Sequence, residues 1–206
     1  MIQLYEHQLF ITSCYTTYLD GYDHKRLIDN IYNLQNTESG NTRSNKGGWQ
    51  SNAIESTNFD NDIMKKLYEE SIRPAALEIL ELWSLPIYQL KNFCYWYNVN
   101  NKYSYNDAHT HPDSHISGVY YIKVPSESGN ITFYRNESER DRMWHTSRDI
   151  VHQSLKTDNP NVNTQHWFDP KEGLLILFPS HLSHDVGQNL TNDDDENRIS
   201  MSFNFY

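Results

Sequence analysis

Two short segments of the sequence carry histidines with the spacing of metal ligands. In the first, His109 and His111 are two residues apart on a predicted strand, so their side chains point to the same face of it. Asp113 shares that face if the strand persists, whereas Pro112 indicates that the strand ends there or lies at the edge of a sheet. We therefore predict a metal site at a strand end, where loops begin.

The second segment follows an apolar run, residues 173–178, that is typical of a buried strand. His181 and His184 come just after it, and either could reach the same site from an adjacent strand. Imidazole and carboxylate ligands with open coordination positions suit Fe(II), and the two cysteines lack the paired spacing of a thiolate zinc site. Zinc held by three histidines is the alternative metal, and histidines scattered over the surface or core are the alternative to any metal.

The predicted last strand begins at Arg198 and has two unlike faces. Its alternation places apolar residues on one face, namely Ile199, Met201 and Phe203, and polar residues on the other, namely Arg198, Ser200, Ser202 and Asn204. A polar face inside a barrel is costly unless it binds something, and an arginine there is suited to a bidentate grip on a carboxylate. A surface strand with Arg198 in an ordinary ion pair fits the pattern equally well.

Helices are predicted in the first part of the chain, before the strands that carry these residues. Helical spacing of apolar positions begins after Asp23, a good N-cap, and returns over residues 60–83. Asp60 or Asp62 can cap the second segment. Pro74 lies inside it and predicts a kink or two consecutive helices.

Strand character begins after residue 86, in five segments bounded by turn residues: 90–98, 116–124, 130–135, 173–178 and 198–205. Helices first and strands later favour an α+β fold in which an antiparallel sandwich or barrel carries the chemistry. We expect one domain over 1–206, with 1–86 mainly a helical flank and ordered loop and 87–206 a β-rich core.

A polar stretch over residues 35–58 contains Gly47-Gly48-Trp49. Long loops in compact domains are often functional, and a tryptophan after two glycines indicates an ordered loop with an anchored ring. Trp49 is then either a packing anchor or a residue that faces the substrate.

The net charge and the hydropathy of the chain argue against two classes of partner. A net charge of −10 makes nucleic acid an unlikely partner, because a protein that binds phosphate backbones needs the opposite sign. No apolar run approaches the length that spans a bilayer, so no membrane partner is expected. The N-terminal residues lack the basic and apolar regions of a signal peptide, and we expect a cytoplasmic location.

Three blocks follow one another along most of the chain. The longest is His109-Thr110-His111-Pro112-Asp113-Ser114-His115-Ile116-Ser117-Gly118-Val119-Tyr120-Tyr121. The others are Gly47-Gly48-Trp49-Gln50-Ser51-Asn52 and the run from Leu177-Phe178-Pro179-Ser180 through His184 to Arg198-Ile199-Ser200. Together these blocks resemble a family of 2-oxoglutarate/Fe(II) oxygenases common in marine phages and bacteria. The family is more distantly similar to prolyl 4-hydroxylases.

The resemblance implies a double-stranded β-helix (jelly-roll) core with flanking N-terminal helices, and a site that uses Fe(II), 2-oxoglutarate and O₂. The implied reaction hydroxylates a substrate, small or macromolecular, and releases succinate and CO₂. Carried over by motif, His184 is the distal metal ligand and Arg198 binds the distal carboxylate of 2-oxoglutarate. The superfamily pattern His-x-Asp fits His111 and Asp113, but the family block is His-x-His-Pro and maps onto His109 and His111. We favour His109 and His111, with Asp113 as the alternative ligand.

Tyr121, Asn204 and Trp49 are the predicted pocket residues. Tyr120 is a further candidate, but Tyr120 and Tyr121 point to opposite faces of a strand, so packing is expected of one of them. Two other functions fit the same fold: a cupin-like metalloenzyme that does not use 2-oxoglutarate, and a non-catalytic jelly-roll binding or structural protein such as a virion component.

Overall fold

The computed structural model describes residues 12–86, 90, 92–135, 165–192 and 196–206. Its first helix, α1, spans His24–Thr37, and the Asp23 side chain caps it by accepting the Arg26 N–H at 3.0 Å. This confirms the predicted cap. No helix among these residues is long and apolar enough to cross a membrane.

The second helical segment consists of α2 (Asp62–Leu67), a π-helical turn (Tyr68–Ile72) and α3 (Arg73–Leu82). Pro74 lies in the first turn of α3, where its missing N–H is tolerated, so the prediction of two consecutive helices is confirmed. The predicted cap is wrong: Asn61, not Asp60 or Asp62, accepts the Met64 N–H at 2.9 Å. Asp60 is engaged elsewhere, because its Oδ1 accepts two tyrosine hydroxyls from the sheet.

Twelve strands are found among the described residues. They are β1 Tyr15–Tyr18, β2 Asn45–Lys46, β3 Trp49–Gln50, β4 Ile54–Glu55, β5 Phe93–Asn100, β6 Tyr105–His109, β7 Ile116–Lys123, β8 Ile131–Tyr134, β9 Gln165–Phe168, β10 Leu174–Pro179, β11 His184–Val186 and β12 Arg198–Phe205. The five predicted segments are β5, β7, β8, β10 and β12. The polar stretch 35–58 contains three short strands that its composition did not predict.

The strands form two antiparallel sheets. The larger has the order β1-β10-β7-β12-β5-β3, with β4 also pairing with β5, and the smaller has the order β2-β6-β11-β8-β9. From β5 onward, consecutive strands change sheet except at β8 and β9, so the connecting loops cross from one sheet to the other. This is the predicted α+β fold, a jelly-roll core with N-terminal helices on one side.

The larger sheet has an apolar layer on each face. One face packs on α1, α2 and α3 around Leu27, Met64, Phe93, Phe203 and their neighbours. The other face confronts the smaller sheet, and a second cluster there joins residues of both sheets: Val119, Tyr121, Ile131, Phe133, Leu174, Ile176 and Phe178. The second cluster fills only part of the space between the sheets, which leaves room for a cavity.

Candidate metal centre

Three histidines meet at one end of the space between the sheets. His109 ends β6 and His184 begins β11, and the antiparallel register places the two directly opposite each other. One ring nitrogen of each of His109, His111 and His184 lies within 4.8 Å of those of the other two, and the Nε2 atoms of His111 and His184 are 3.4 Å apart. The two segments singled out in the sequence therefore form one group.

His111 joins this group although it lies beyond the end of β6. Its N–H donates to the Ser180 carbonyl at 2.9 Å, which ties it to the turn that precedes β11. The convergence of His109 and His111 was predicted from strand periodicity. The two rings do converge, although β6 ends at His109 and His111 is tied instead to the neighbouring segment.

Backbone carbonyls fix which nitrogen of two rings can bind a metal. His109 Nδ1 lies 2.7 Å from the Asp107 carbonyl, and His184 Nδ1 lies 2.9 Å from the Leu182 carbonyl. A carbonyl oxygen only accepts, so each Nδ1 carries the proton and each Nε2 keeps its lone pair. Metal-binding histidines are commonly held in this way.

The pKa values of the three histidines favour the neutral imidazole. Burial, with the adjacent His109, lowers the pKa of His184 to about 3 and that of His111 to about 4, and burial also lowers the pKa of His109. Near pH 7 a metal ion therefore displaces no proton from these rings, and metal binding needs the neutral imidazole.

The other candidates of the two segments lie outside the group. Asp113 is exposed on the turn after His111, in the left-handed backbone region with φ of 64°. His181 is exposed on the turn after β10. In the part of the chain that the structure describes, the cluster of potential metal ligands here consists of the three histidines alone.

A cavity of about 500 Å³ lies between the sheets and is lined by the three histidines and by Arg198. This volume lies within the range of small-molecule sites. The Arg198 side chain is 1% exposed, and its Nη1 donates to the carbonyls of Ser128, Gly129 (3.3 Å) and Gly187 (3.2 Å). Its Nη2 is buried without a partner, and no carboxylate of the described residues pairs with it. The alternative of a surface ion pair is therefore not what the structure has.

Tyr121 lines the same cavity as Arg198. Its hydroxyl is buried without a hydrogen-bond partner, and burial raises its pKa to about 12 against the opposing effect of the Arg198 charge. A neutral hydroxyl and a guanidinium N–H are both donors. Together they fit a ligand that accepts hydrogen bonds, such as a carboxylate.

Of the remaining predicted pocket residues, one lines the cavity and two do not. Asn204 lines the cavity, and its Oδ1 accepts the Ser117 hydroxyl at 2.8 Å. Trp49 does not line it; the ring packs on the helix side of the larger sheet, and its Nε1 donates to the Glu38 carbonyl at 3.1 Å. Tyr120 is the packing member of the tyrosine pair, with its hydroxyl 2.7 Å from His24 Nε2.

Several of the residues that line the cavity were not predicted from the sequence, among them Trp96, Gln50 and Asn98. Trp96 stacks on His111 with ring centroids 5.7 Å apart, and Gln50 and Asn98 line the wall beyond it. The alternation of β5 was the available signal, since Trp96 and Asn98 share its cavity face. Their proximity to β12 was not evident, because that pairing joins segments about a hundred residues apart in sequence.

Comparison with known proteins finds a matching family. A family model described as 2OG-Fe(II) oxygenase matches residues 94–204. No curated protein matches the sequence at a significant level.

Solved structures share the fold at low sequence identity. A Pseudomonas putida prolyl-4-hydroxylase is 14% identical, with a TM-score of 0.60 over 94% of this chain and 92% of that one. A prolyl hydroxylase from Trichoplax adhaerens, in complex with a hypoxia inducible factor peptide fragment, is 13% identical, with a TM-score of 0.57 over 93% and 83%. HygX from Streptomyces hygroscopicus, with nickel and 2-oxoglutarate bound, is 11% identical, with a TM-score of 0.56 over 94% and 82%.

Proposed function

This chain belongs to the 2OG-Fe(II) oxygenase family, and on that premise we propose that His109, His111 and His184 hold the Fe(II) while Arg198 and Tyr121 bind 2-oxoglutarate. The convergence of three ring nitrogens within 4.8 Å is the observation that supports the ligand set. Three ligands on one side of an ion leave positions open for the co-substrate and O₂.

The proposed ligand set changes the charge of the centre. Three neutral imidazoles leave the double positive charge of Fe(II) uncompensated by the protein, whereas a His-x-Asp set would remove one unit. The 2-oxoglutarate dianion then supplies the negative charge at the centre. Affinity for the co-substrate is therefore expected to depend strongly on its charge.

Arg198 and Tyr121 supply the other half of the co-substrate site. Arg198 Nη1 is held by three carbonyls, so the guanidinium is fixed before a ligand arrives. Its unpaired Nη2 and the unpaired Tyr121 hydroxyl are donors left for a carboxylate. Binding an anion there satisfies two buried atoms that otherwise destabilise the fold.

Bound Fe(II) with 2-oxoglutarate and O₂ supplies the oxidation of a substrate, with release of succinate and CO₂; we propose hydroxylation. The chain's own part is to orient the reactants and keep water away. Trp96 stacks on His111 with ring centroids 5.7 Å apart, and Phe178 packs edge to face with His184 at a centroid distance of 4.7 Å, so both imidazoles are held in place.

The decisive experiment adds Fe(II) and 2-oxoglutarate to the protein without oxygen and records the visible charge-transfer band of the chelate. We expect the band in the parent, none in His184→Ala, and a requirement for at least tenfold more 2-oxoglutarate in Arg198→Ala. His181→Ala is the matched control, since His181 is exposed and outside the group.

Asp113→Ala separates the two ligand sets. An unchanged band supports His109, His111 and His184, whereas loss of the band in Asp113→Ala but not in His109→Ala assigns Asp113 instead. Bound metal without any band would favour a cupin-like enzyme that does not use 2-oxoglutarate. A parent that binds no metal would favour a binding or structural protein.

The single domain over 1–206, the cytoplasmic location, the phage or marine bacterial origin and the absence of a nucleic-acid partner stay predictions from the sequence. Fractionation of expressing cells tests the location, and limited proteolysis tests the single domain.

A further inference from the structure

Five buried polar atoms of the described residues have no hydrogen-bond partner, and they gather around the cavity. They are Arg198 Nη2, Tyr121 OH, Ser128 Oγ, Gln50 Oε1 and Asn98 Oδ1. Four belong to residues that line the cavity, and Ser128 is the residue whose carbonyl accepts from Arg198. Buried polar atoms are nearly always paired, so this concentration points to ligands that complete the wall.

Strand register arranges three of these residues in one row. Gln50 of β3 is opposite Asn98 of β5, Asn98 is opposite Ser200 of β12, and Ser200 is opposite Tyr121 of β7. Neighbouring strands are about 4.8 Å apart, so the row from Gln50 to Tyr121 spans about 14 Å. One small co-substrate held at the Tyr121 end leaves the Gln50 end open.

The unpaired atoms at the two ends of this row differ in whether they donate or accept hydrogen bonds. Arg198 and Tyr121 offer donors at one end, whereas Gln50 and Asn98 offer carbonyl oxygens, which only accept. The amide nitrogen of Asn98 is already used, since it donates to Ser202 Oγ at 3.1 Å. A carboxylate satisfies the donor end and is repelled by the acceptor end, so 2-oxoglutarate does not complete both.

We propose that Gln50 and Asn98 bind the oxidisable substrate, and that this substrate presents neutral hydrogen-bond donors, hydroxyl or amide N–H groups, to their carbonyl oxygens. The inference rests on the proposed function, because it takes the donor end to be the co-substrate site. Residues directly opposite on paired strands have Cβ atoms about 5 Å apart, which suits two adjacent donors of one molecule.

Charge around this end favours a neutral donor over a cation. Two arginines, Arg198 and Arg43, and one carboxylate, Asp113, line the cavity, and Arg43 is exposed in the segment just before β2. Its positive charge disfavours an ammonium or guanidinium group nearby. Side-chain amides, unlike carboxylates, also add no negative charge that would attract one.

The test measures binding rather than turnover. The protein is loaded with Zn(II), a redox-inert stand-in, and 2-oxoglutarate, and three probes are offered: D-sorbitol with hydroxyl donors, glutaramide with amide donors, and dimethyl glutarate with none. Saturation-transfer NMR reports probe binding, and calorimetry reports 2-oxoglutarate affinity.

We expect at least one donor probe to bind and the diester not to bind. Gln50→Leu and Asn98→Leu weaken the donor probe at least fivefold and change 2-oxoglutarate affinity less than twofold. Asn98→Asp is the matched variant: it keeps an acceptor oxygen, removes the amide donor and adds a negative charge, so binding of the neutral donor probes persists.

Three results would overturn the inference even if the co-substrate binds. In the first, the diester binds the loaded parent as well as the donor probes do, and in the second, no donor probe binds it. In the third, the leucine variants lower the affinity for 2-oxoglutarate as much as Arg198→Ala does. The last would assign the amides to the co-substrate site. Failure of 2-oxoglutarate to bind the metal-loaded parent is a separate outcome, which overturns the proposed function and the inference with it.

Discussion

On the side that faces the helices, the larger sheet presents buried aromatic and aliphatic side chains. On the side that faces the cavity, β3, β5 and β12 present mainly amides, hydroxyls and one arginine, beside the apolar cluster of β7 and β10. β12 shows the contrast residue by residue, since Phe203 packs into the helical layer while its neighbours Ser202 and Asn204 line the cavity. Both faces are largely buried, so exposure does not explain the difference.

The two faces differ in whether their buried polar groups find hydrogen-bond partners within the chain. On the helix side the Tyr95 hydroxyl donates to Asp60 Oδ1 at 2.6 Å, whereas on the cavity side the Tyr121 hydroxyl has no partner. One face is complete within the chain, and the other is completed by what it binds. Substitutions on the first should therefore change stability, and those on the second should change binding.

The largest effect is expected from Phe203→Ala on the helix side. Phe203 is fully buried, and its ring lies over Gly118, where an added Cβ would come within 2.2 Å of the ring. The deletion leaves a cavity and should lower the free energy of unfolding by about 3–5 kcal/mol. Urea denaturation measures this loss, and 2-oxoglutarate affinity of the folded fraction should stay within twofold.

Arg198→Met makes the complementary change on the cavity side. Loss of charge-assisted hydrogen bonds worth about 1.5–3 kcal/mol should weaken 2-oxoglutarate binding roughly 10- to 100-fold, measured by calorimetry on metal-loaded protein. Stability should change much less than in Phe203→Ala, because removal of a buried unpaired charge offsets the three carbonyl contacts. A loss of stability as large as that of Phe203→Ala, with affinity unchanged, would show that both faces are structural.

Much of this contrast was predictable from the two-residue alternation of side chains along a strand. The alternation of residues 198–205 placed Arg198 on a polar face and Phe203 on an apolar one, and the structure has both. The family block likewise led to His109, His111 and His184, which the fold brings together.

What the sequence did not predict depends on pairing between distant segments. Residues 45–55 are polar and rich in small side chains, which is typical of a loop, but backbone pairing with β5 and β6 makes three short strands of them. That pairing turns Trp49 toward the helices and its neighbour Gln50 toward the cavity. The Gly47-Gly48-Trp49 pattern favoured the tryptophan as a pocket residue, and Gln50 was not predicted to line the pocket.

A smaller effect is expected from Tyr95→Phe, again on the helix side. The change removes one hydroxyl that donates to Asp60 Oδ1 and accepts the Asp60 N–H at 3.2 Å, and it leaves the ring packing intact. The free energy of unfolding should fall by about 1–2 kcal/mol, because two hydrogen bonds are lost while the Tyr97 hydroxyl still reaches the carboxylate at 3.1 Å. Unchanged stability would mean that water replaces the lost donor at no cost.

Tyr121→Phe removes the same atom from the other face and should have the smallest effect, with the opposite sign. Its hydroxyl is buried without a partner, so its loss should leave the free energy of unfolding unchanged or raise it by up to about 1 kcal/mol. Affinity for 2-oxoglutarate should fall about three- to tenfold, because one donor to the carboxylate is gone. The comparison with Tyr95→Phe is sharp because the two changes are chemically identical. If Tyr121→Phe instead destabilises the protein as Tyr95→Phe does, the Tyr121 hydroxyl has a partner within the fold, and the cavity face is not completed by a ligand at that position.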